Sequence, residues 1–256
     1  MTRFRELLGT DFDGEPTDDI DDVIFGAFDD PAHRDRVPGL VELMNDPAAP
    51  ENERFLACLA LTTWGEQAGY EAVIRAAADP KRSPWYDTLI DRKFSVDSTF
   101  AQLAEAASEK DLAEEKGTLP LRTEALRALV RIADGEYFED KLGELFDTAV
   151  LVTLLDDIKD VVGRGARSLA AGERYSFDLP TQLVDLACAV ASADGPLAVE
   201  LAMSVLGAVE PSQRALMHAV AIAHRAGADP EVRRFAEYLA TAGDDAVRAA
   251  VGNMLP

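Results

Sequence analysis

Apolar residues recur every three or four positions along most of the chain, and alanine is prominent among them. Because an α-helix turns once in about 3.6 residues, this spacing predicts amphipathic helices. The clearest segments begin at Asn52, Leu121, Thr181, Ser212 and Asp244. Sustained alternation of apolar and polar residues, which indicates β-strands, is nearly absent. The sequence therefore predicts an all-α protein.

A second amphipathic segment follows most of these helices, so the predicted unit is helix, short turn, helix. The second segments begin at Tyr70, Tyr137, Leu197 and Glu231. Gly65, Gly135 and Gly195 follow the first helices at the same offset, where a residue tolerant of positive φ can end a helix. The last three of the clear segments start 31 and 32 residues apart. This period indicates a repeat array.

The rest of the chain is assigned to less regular units of the same array. A unit from Ala149 is predicted as a long helix broken near Gly163 and Gly165, and another unit falls between Trp85 and Ala107. With an opening helix pair near the N-terminus, this gives about seven repeats and an irregular region near residues 83–120. The predicted domains are an acidic leader, 1–17, and a single array, 18–256.

Two segments resemble a known repeat family. "RTEALRAL" from Arg122 to Leu129 and "YEAVIRAA" from Tyr70 to Ala77 are similar to the first and second helices of HEAT and HEAT-like armadillo repeats. The resemblance implies a right-handed α-solenoid in which stacked neighbours share one core. It also implies an extended groove lined mainly by the second helices.

The charge is strongly acidic, with 47 Asp and Glu against 25 Lys and Arg and a net charge of -22. Such a chain repels the phosphates of nucleic acid and anionic lipid, so direct nucleic-acid or membrane binding is not expected. The acidity favours a basic protein partner. It is equally typical of a solubility trait of the organism that keeps the chain monomeric when free.

The stretch "GTDFDGEPTDDIDD", from Gly9 to Asp22, is the most acidic part of the sequence. Its alternating carboxylates have the spacing of a calcium loop, but Pro16 stands where that loop needs glycine, so no metal site is predicted. Two alternatives remain, a flexible leader in which Asp18 or Asp19 caps the first helix and a partner-binding segment. The predicted partner-binding residues are Asp11, Asp13, Asp18, Asp19, Asp21 and Asp22. Removal of residues up to Glu15 is expected to leave folding intact.

A second acidic set lies in the middle of the chain. On a helix, Glu136, Asp140, Glu144 and Asp147 are spaced by four, four and three residues and would share one face. Asp156, Asp157 and Asp160 follow them. These seven residues are predicted to bind the partner if the helix lines the groove. If the helix faces outward, they form an ordinary solvated face.

Aromatic residues in the irregular region are the candidate anchors for a partner. Trp85 and Tyr86 follow a proline, and Phe94 and Phe100 come later. Trp and Tyr contribute much of the binding energy at protein interfaces. The alternative is that these rings fill a gap in the core, which is favoured for Phe94 and Phe100.

No catalytic constellation or cofactor motif emerges from the sequence, so we expect a protein that is not an enzyme and has no cofactor. His218 and His224 are six residues apart and would face opposite sides of a helix, which does not form a zinc set. Cys58 and Cys188 lie in small-residue helical patterns and are predicted to be free core residues. With no membrane-spanning or secretory signal pattern, the predicted location is cytoplasmic.

These features together predict a non-catalytic protein-binding module that clamps a basic protein. An acidic solenoid of this kind resembles immunity proteins and antitoxins that neutralise basic bacterial toxins. The alternatives are a scaffold or adaptor in a larger assembly, or an enzyme of the HEAT-like type such as a DNA glycosylase or bilin lyase. A glycosylase would need a basic surface to hold DNA, and the charge has the opposite sign.

Overall fold

The computed structural model describes residues 3–91, 96–227 and 229–253. In these residues nearly all the regular secondary structure is helical, which confirms the all-α prediction; the solenoid of about seven repeats stays a prediction. The helices are α1 (Arg3–Leu7), α2 (Ile20–Gly26), α3 (His33–Asn45), α4 (Glu51–Thr63), α5 (Gln67–Ala78), α6 (Thr99–Ser108), α7 (Asp111–Glu115), α8 (Leu119–Val130), α9 (Thr148–Ala170), α10 (Leu179–Val190), α11 (Gly195–Leu206), α12 (Gln213–Ala226), α13 (Pro230–Ala242) and α14 (Asp245–Gly252). Two-residue strands, β1 (Ile90–Asp91) and β2 (Val96–Asp97), pair antiparallel, and single 3₁₀ turns cover Pro80–Arg82 and Leu142–Leu145.

The chain divides into two compact units, Met1–Leu129 and Val130–Pro256. The predicted boundary after residue 17 is therefore not where the structure divides. Throughout the described ranges, no helix combines the length and the apolar character needed to cross a membrane.

The N-terminal unit is organised around α4. This helix packs against α3 on one side and α5 and α6 on others, and α1 packs against α3. Its core contains the largest buried rings of the unit, Phe55, Trp64, Tyr70 and Phe100, each at most 1% exposed. Packing of α4 against α5 follows the helix pair predicted from the sequence, whereas α2 packs against α4.

The C-terminal unit is organised around α10, which packs against α9, α11 and α12. Every residue of α10 from Thr181 to Val190 is buried, because its sequence is apolar or small on nearly all sides. The following helices α12, α13 and α14 pack on one another. Side-chain N-caps start the helices of this unit, where an oxygen accepts an otherwise unsatisfied N–H; the caps are Asp147, Asp178, Asp194, Ser212, Asp229 and Asp244.

Of the three glycines predicted to end helices, Gly65 alone does so in a left-handed conformation. Its φ is +72°, directly after α4. Gly195 is the first residue of α11 and Gly135 lies five residues beyond the end of α8. The equal offsets of these three glycines in the sequence therefore mark one helix end and two positions that do not end a helix.

The predicted break in the helix from Ala149 is also wrong, because α9 runs without interruption through Gly163 and Gly165. Gly165 has a packing role instead: a Cβ atom there would lie 2.5 Å from Cδ1 of Leu183. Glycine lets α9 approach α10 closely, and the apolar packing of the long helix offsets the low helix propensity of glycine.

The helix predicted from Tyr137 does not form. Residues 131–147 instead form a series of turns that pack on α10. The buried Gln182 side chain accepts the N–H of Phe138 at 2.7 Å and donates to the carbonyls of Ala133, at 2.7 Å, and Glu136, at 2.9 Å. Tertiary hydrogen bonds to a neighbouring helix thus replace the local ones that the apolar spacing predicted.

Candidate partner-binding site

The acidic N-terminal stretch is an ordered part of its unit. The backbones of Thr10 and Pro16 form a bridge, and Gly14 turns the chain with a φ of +91°. The Asp11 carboxylate accepts the N–H of Glu15 at 2.8 Å. These contacts order residues 10–16, which the flexible-leader alternative for this stretch did not predict.

Arg36 fixes this stretch to the body of the unit. Its guanidinium donates to the carbonyls of Leu7 at 2.9 Å and Thr10 at 2.6 Å, and also to that of Asp11. It also lies 4.4 Å from the ring centroid of Phe12, a cation–π geometry. One half-buried cation thus satisfies three carbonyls of a segment that has little regular structure of its own.

The carboxylates of this stretch otherwise face solvent. Asp19 caps α2 by accepting the N–H of Asp21 at 3.1 Å, which confirms one of the two predicted capping residues. The exposed members of the predicted set are Asp13, Asp18, Asp19, Asp21 and Asp22, while Asp11 is half-buried. None of the described parts of the chain places three or more His, Cys, Asp or Glu side chains where they could hold a metal ion.

Asp21 lies at the edge of a small cleft between α2, α4 and α6, which we call the acidic cleft. Its cavity measures about 130 Å³. The cleft is lined by Asp21, Ile24, Phe25, Leu59, Thr63, Gln102, Glu105, Ala106 and Glu109. The lining thus combines an apolar floor with three carboxylates and no cation. Among the residues that the structure describes, no ion pair reaches these three carboxylates.

Phe25 makes the acidic cleft a candidate for binding. Its side chain is 49% exposed, the second largest exposure among the large apolar residues described. It stacks against Phe28, in the turn that follows α2, with ring centroids 6.3 Å apart. An exposed ring beside carboxylates is suited to a cation with an apolar stem.

The second predicted acidic set is dispersed by the structure. Because residues 131–147 are not helical, Glu136, Asp140, Glu144 and Asp147 do not share a helix face, and that prediction is wrong. Asp140 is buried, Asp147 caps α9 by accepting the N–H of Val150 at 2.9 Å, and Glu144 is exposed. Glu136 is half-buried.

The three acidic residues of α9 have separate environments. Asp157 is half-buried and accepts from Nε of Arg131 at 2.7 Å. Asp156 and Asp160 are exposed. Lys159 lies between them on the same helix, which reduces the negative charge of that face.

Trp85 and Tyr86 do not form an exposed aromatic anchor. Trp85 is 3% exposed and packs against Phe55, with ring centroids 6.3 Å apart. Tyr86 is half-buried, and Phe100 is 1% exposed as predicted for a core ring. Phe94 lies outside the described residues. The prediction of Trp85 as a surface anchor is therefore wrong, because the ring fills space beside α4.

The C-terminal unit has a larger groove between α9, α11 and α13, with a volume of about 700 Å³. Two of them, α11 and α13, form from segments predicted as second helices; the groove that the resemblance implied stays a prediction. The lining is mixed: the apolar part includes Leu197, Met203 and Phe235, and the charged residues are Lys159, Asp194, Glu200, Glu231 and Arg234. Cations and carboxylates alternate here, so this groove carries less negative potential than the acidic cleft.

Two buried carboxylates contribute to the packing of the 131–147 segment: Asp185 on α10 and Asp140 within the segment itself. Burial raises the pKa of Asp185 to about 7, although its acceptance of the Gly143 N–H at 2.8 Å acts in the opposite direction. Burial also raises the pKa of Asp140, while the nearby Arg214 lowers it. Both groups stabilise the packing of the 131–147 segment.

Sequence reasoning missed Phe25, Glu105 and Glu109. A signal was present for the two glutamates, since Glu105 lies on α6, Glu109 directly follows that helix, and α6 contains no cation. No sequence signal distinguishes Phe25 from the buried apolar residues beside it, because its exposure depends on how α2 lies against α4.

No protein-family model, curated protein or solved structure matches this chain at a significant level.

Proposed function

We propose that this chain is a non-catalytic binding protein that captures a basic protein partner, with the acidic cleft as the recognition site. The observation that carries the proposal is the composition of that cleft, three carboxylates around an apolar floor with no lining cation. A Lys or Arg side chain fits it, since the aliphatic stem would contact Phe25 and Ile24 and the charged end would reach the carboxylates.

The size of the cleft supports a side chain as its occupant. At about 130 Å³ it is smaller than the roughly 300–1,000 Å³ of pockets that hold drug-sized ligands or cofactors. The surrounding charge has the sign that speeds encounter with a basic protein, because the N-terminal unit carries 27 acidic against 14 basic residues.

The finer form of the proposal is a HEAT-like repeat protein that neutralises a basic toxin, as immunity proteins do. The support for it is the helix-pair pattern in the sequence together with the charge. An acidic cleft that takes basic side chains is compatible with covering the surface of a nuclease that would meet nucleic acid.

A direct test uses fluorescein-labelled octa-lysine and octa-arginine peptides, with fluorescence anisotropy as the readout. The double variant Glu105→Gln/Glu109→Gln should weaken binding about tenfold or more, because it removes two carboxylates next to the bound cation. Phe25→Ala should weaken binding without a change in net charge. Raised salt should weaken the wild-type interaction.

The matched control is Glu210→Gln/Glu237→Gln, which makes the same change in net charge at exposed positions of the C-terminal unit. It should weaken binding by less than about threefold if recognition is local. Equal losses for the two double variants would show that only the overall charge attracts the peptides, and the proposed site would be wrong.

A further inference from the structure

A cavity in the N-terminal unit has the opposite chemistry to the rest of the chain. It measures about 300 Å³ and is lined by Met44, Asn45, Arg54, Ala72, Arg75, Ala76, Asp79, Arg82, Ser83, Pro84 and Trp85. Three arginines and a single carboxylate thus line one cavity in a protein whose net charge is -22. We call it the arginine cavity.

The three guanidinium groups retain hydrogen-bonding capacity. Arg54 donates through Nε to the carbonyl of Met44 at 3.2 Å. Arg82 pairs with Asp79 through Nε at 3.5 Å, and Arg75 lies 4.0 Å from Glu71, at the limit of an ion pair. An arginine has five N–H donors, so several donors on each side chain are left for a ligand.

Trp85 provides a second and independent observation. It is 3% exposed, and its indole N–H has no acceptor within the described structure. A buried donor without an acceptor is costly, and each such group calls for an explanation. Trp85 lines the same cavity as the three arginines, so an anionic ligand that entered the cavity would lie near this unsatisfied N–H.

We propose that the arginine cavity binds a small oxyanion ligand, a metabolite that carries phosphate or carboxylate groups. Arginine matches both groups because its planar donors engage two oxygens at once. With three guanidinium groups against one carboxylate, the lining favours a ligand of about two negative charges. At about 300 Å³ the cavity is at the lower end of the range for small-molecule sites, which fits a compact metabolite. This site is separate from the acidic cleft and does not depend on the proposed partner.

The two tryptophans of the chain allow a specific readout. In an NMR titration of the full chain, the indole N–H resonance of Trp85 should shift on addition of pyrophosphate or citrate at constant ionic strength. The indole of Trp64 should not shift, because its N–H donates to the carbonyl of Ile24 at 2.8 Å within the core. Trp85→Phe assigns the resonances by removing one of them, and comparison of the two anions distinguishes phosphate from carboxylate ligands.

Arg75→Gln should weaken anion binding in this titration about tenfold or more, since it removes a charged donor from the cavity. The matched control is Lys81→Gln, which makes the same charge change at an exposed residue that does not line the cavity. Thermal unfolding checks that both variants fold. Absence of a Trp85 shift with every anion, or equal weakening by Arg75→Gln and Lys81→Gln, would overturn the proposal.

Discussion

Arg214 on α12 lies with Nη2 2.5 Å from Oδ2 of Asp140, a carboxylate whose side chain is 1% exposed. Asp140 itself adopts a left-handed backbone conformation, with a φ of 54°. The pair thus joins a helix to the turn segment 131–147 at a position where the backbone is unusual for a residue other than glycine.

Arg214→Gln should lower the free energy of unfolding by about 1–3 kcal/mol, because it leaves a buried carboxylate without its cation. The loss should stay below that of a fully buried pair, since the arginine is 56% exposed. Asp140→Asn should cost less, because asparagine tolerates the same backbone conformation and carries no charge. Chemical denaturation of both single variants and the double variant measures the coupling. If Asp140→Asn is the more destabilising change, charge burial is not the cause.

Asp185 should make stability depend on pH. Its pKa is raised to about 7 by burial, with Glu144 and Asp140 adding to the rise and the Gly143 N–H and Arg225 opposing it. Between about pH 4 and pH 7 the folded state therefore binds a proton that the unfolded state has lost, so this contribution is full at low pH and disappears as the pH rises to 7.

The measurement is the difference in unfolding free energy between the wild type and Asp185→Asn, followed from pH 4 to pH 8. The difference should fall by up to about 1.4 kcal/mol per pH unit and become constant above pH 7. A difference that is constant across the whole range would show that Asp185 is ionised throughout.

Leu8, directly before the acidic N-terminal stretch, tests whether this end of the chain contributes to stability. The side chain is 0% exposed, so Leu8→Ala should destabilise the protein by about 2–4 kcal/mol through lost burial and a new cavity. Leu119→Ala makes the same change at a side chain that is 36% exposed and should cost less than about 1 kcal/mol. Comparable losses would indicate that this end of the chain contributes nothing particular to folding.

Gly65 and Gly117 form a matched pair, with φ values of +72° and +69°. Alanine at either position would have to adopt the left-handed conformation, which lowers the free energy of unfolding by about 1–2 kcal/mol. At Gly65 the new Cβ would also lie 2.6 Å from the backbone nitrogen of Ala113, whereas nothing lies within 4 Å at Gly117. Thermal unfolding should therefore show a clearly larger loss for Gly65→Ala. Equal losses would mean that the backbone beside Gly65 relaxes freely.

Helix positions were predictable where apolar spacing coincided with local start and stop signals. The segment at Thr181 has an aspartate cap before it, a proline in its first turn and apolar residues throughout, and it forms α10. The cysteine Cys188 within it is buried, as its small-residue surroundings predicted. Here local sequence and tertiary packing favour the same structure.

Prediction failed where tertiary contacts decided the local conformation. The spacing of Glu136 and Asp140 fits a helix, but polar groups on α10 stabilise turns there instead. The acidic cleft could not be predicted for the same reason. Asp21 and Glu105 are 84 positions apart in the sequence, and they line one cleft only because α2 and α6 both pack on α4. The residue types show which positions are charged, but not that these charges lie close together in the folded chain.

The buried side chain of Gln182 has a consequence for how the C-terminal unit opens. Because it holds the backbones of Ala133, Glu136 and Phe138, these turns can open fully only when they separate from α10. In native-state hydrogen exchange, the amide of Phe138 should therefore be protected to nearly the same degree as the amides of α10, although it lies in a segment with little regular structure. A surface turn of this chain would thereby belong to the same cooperative unit as the helix beneath it.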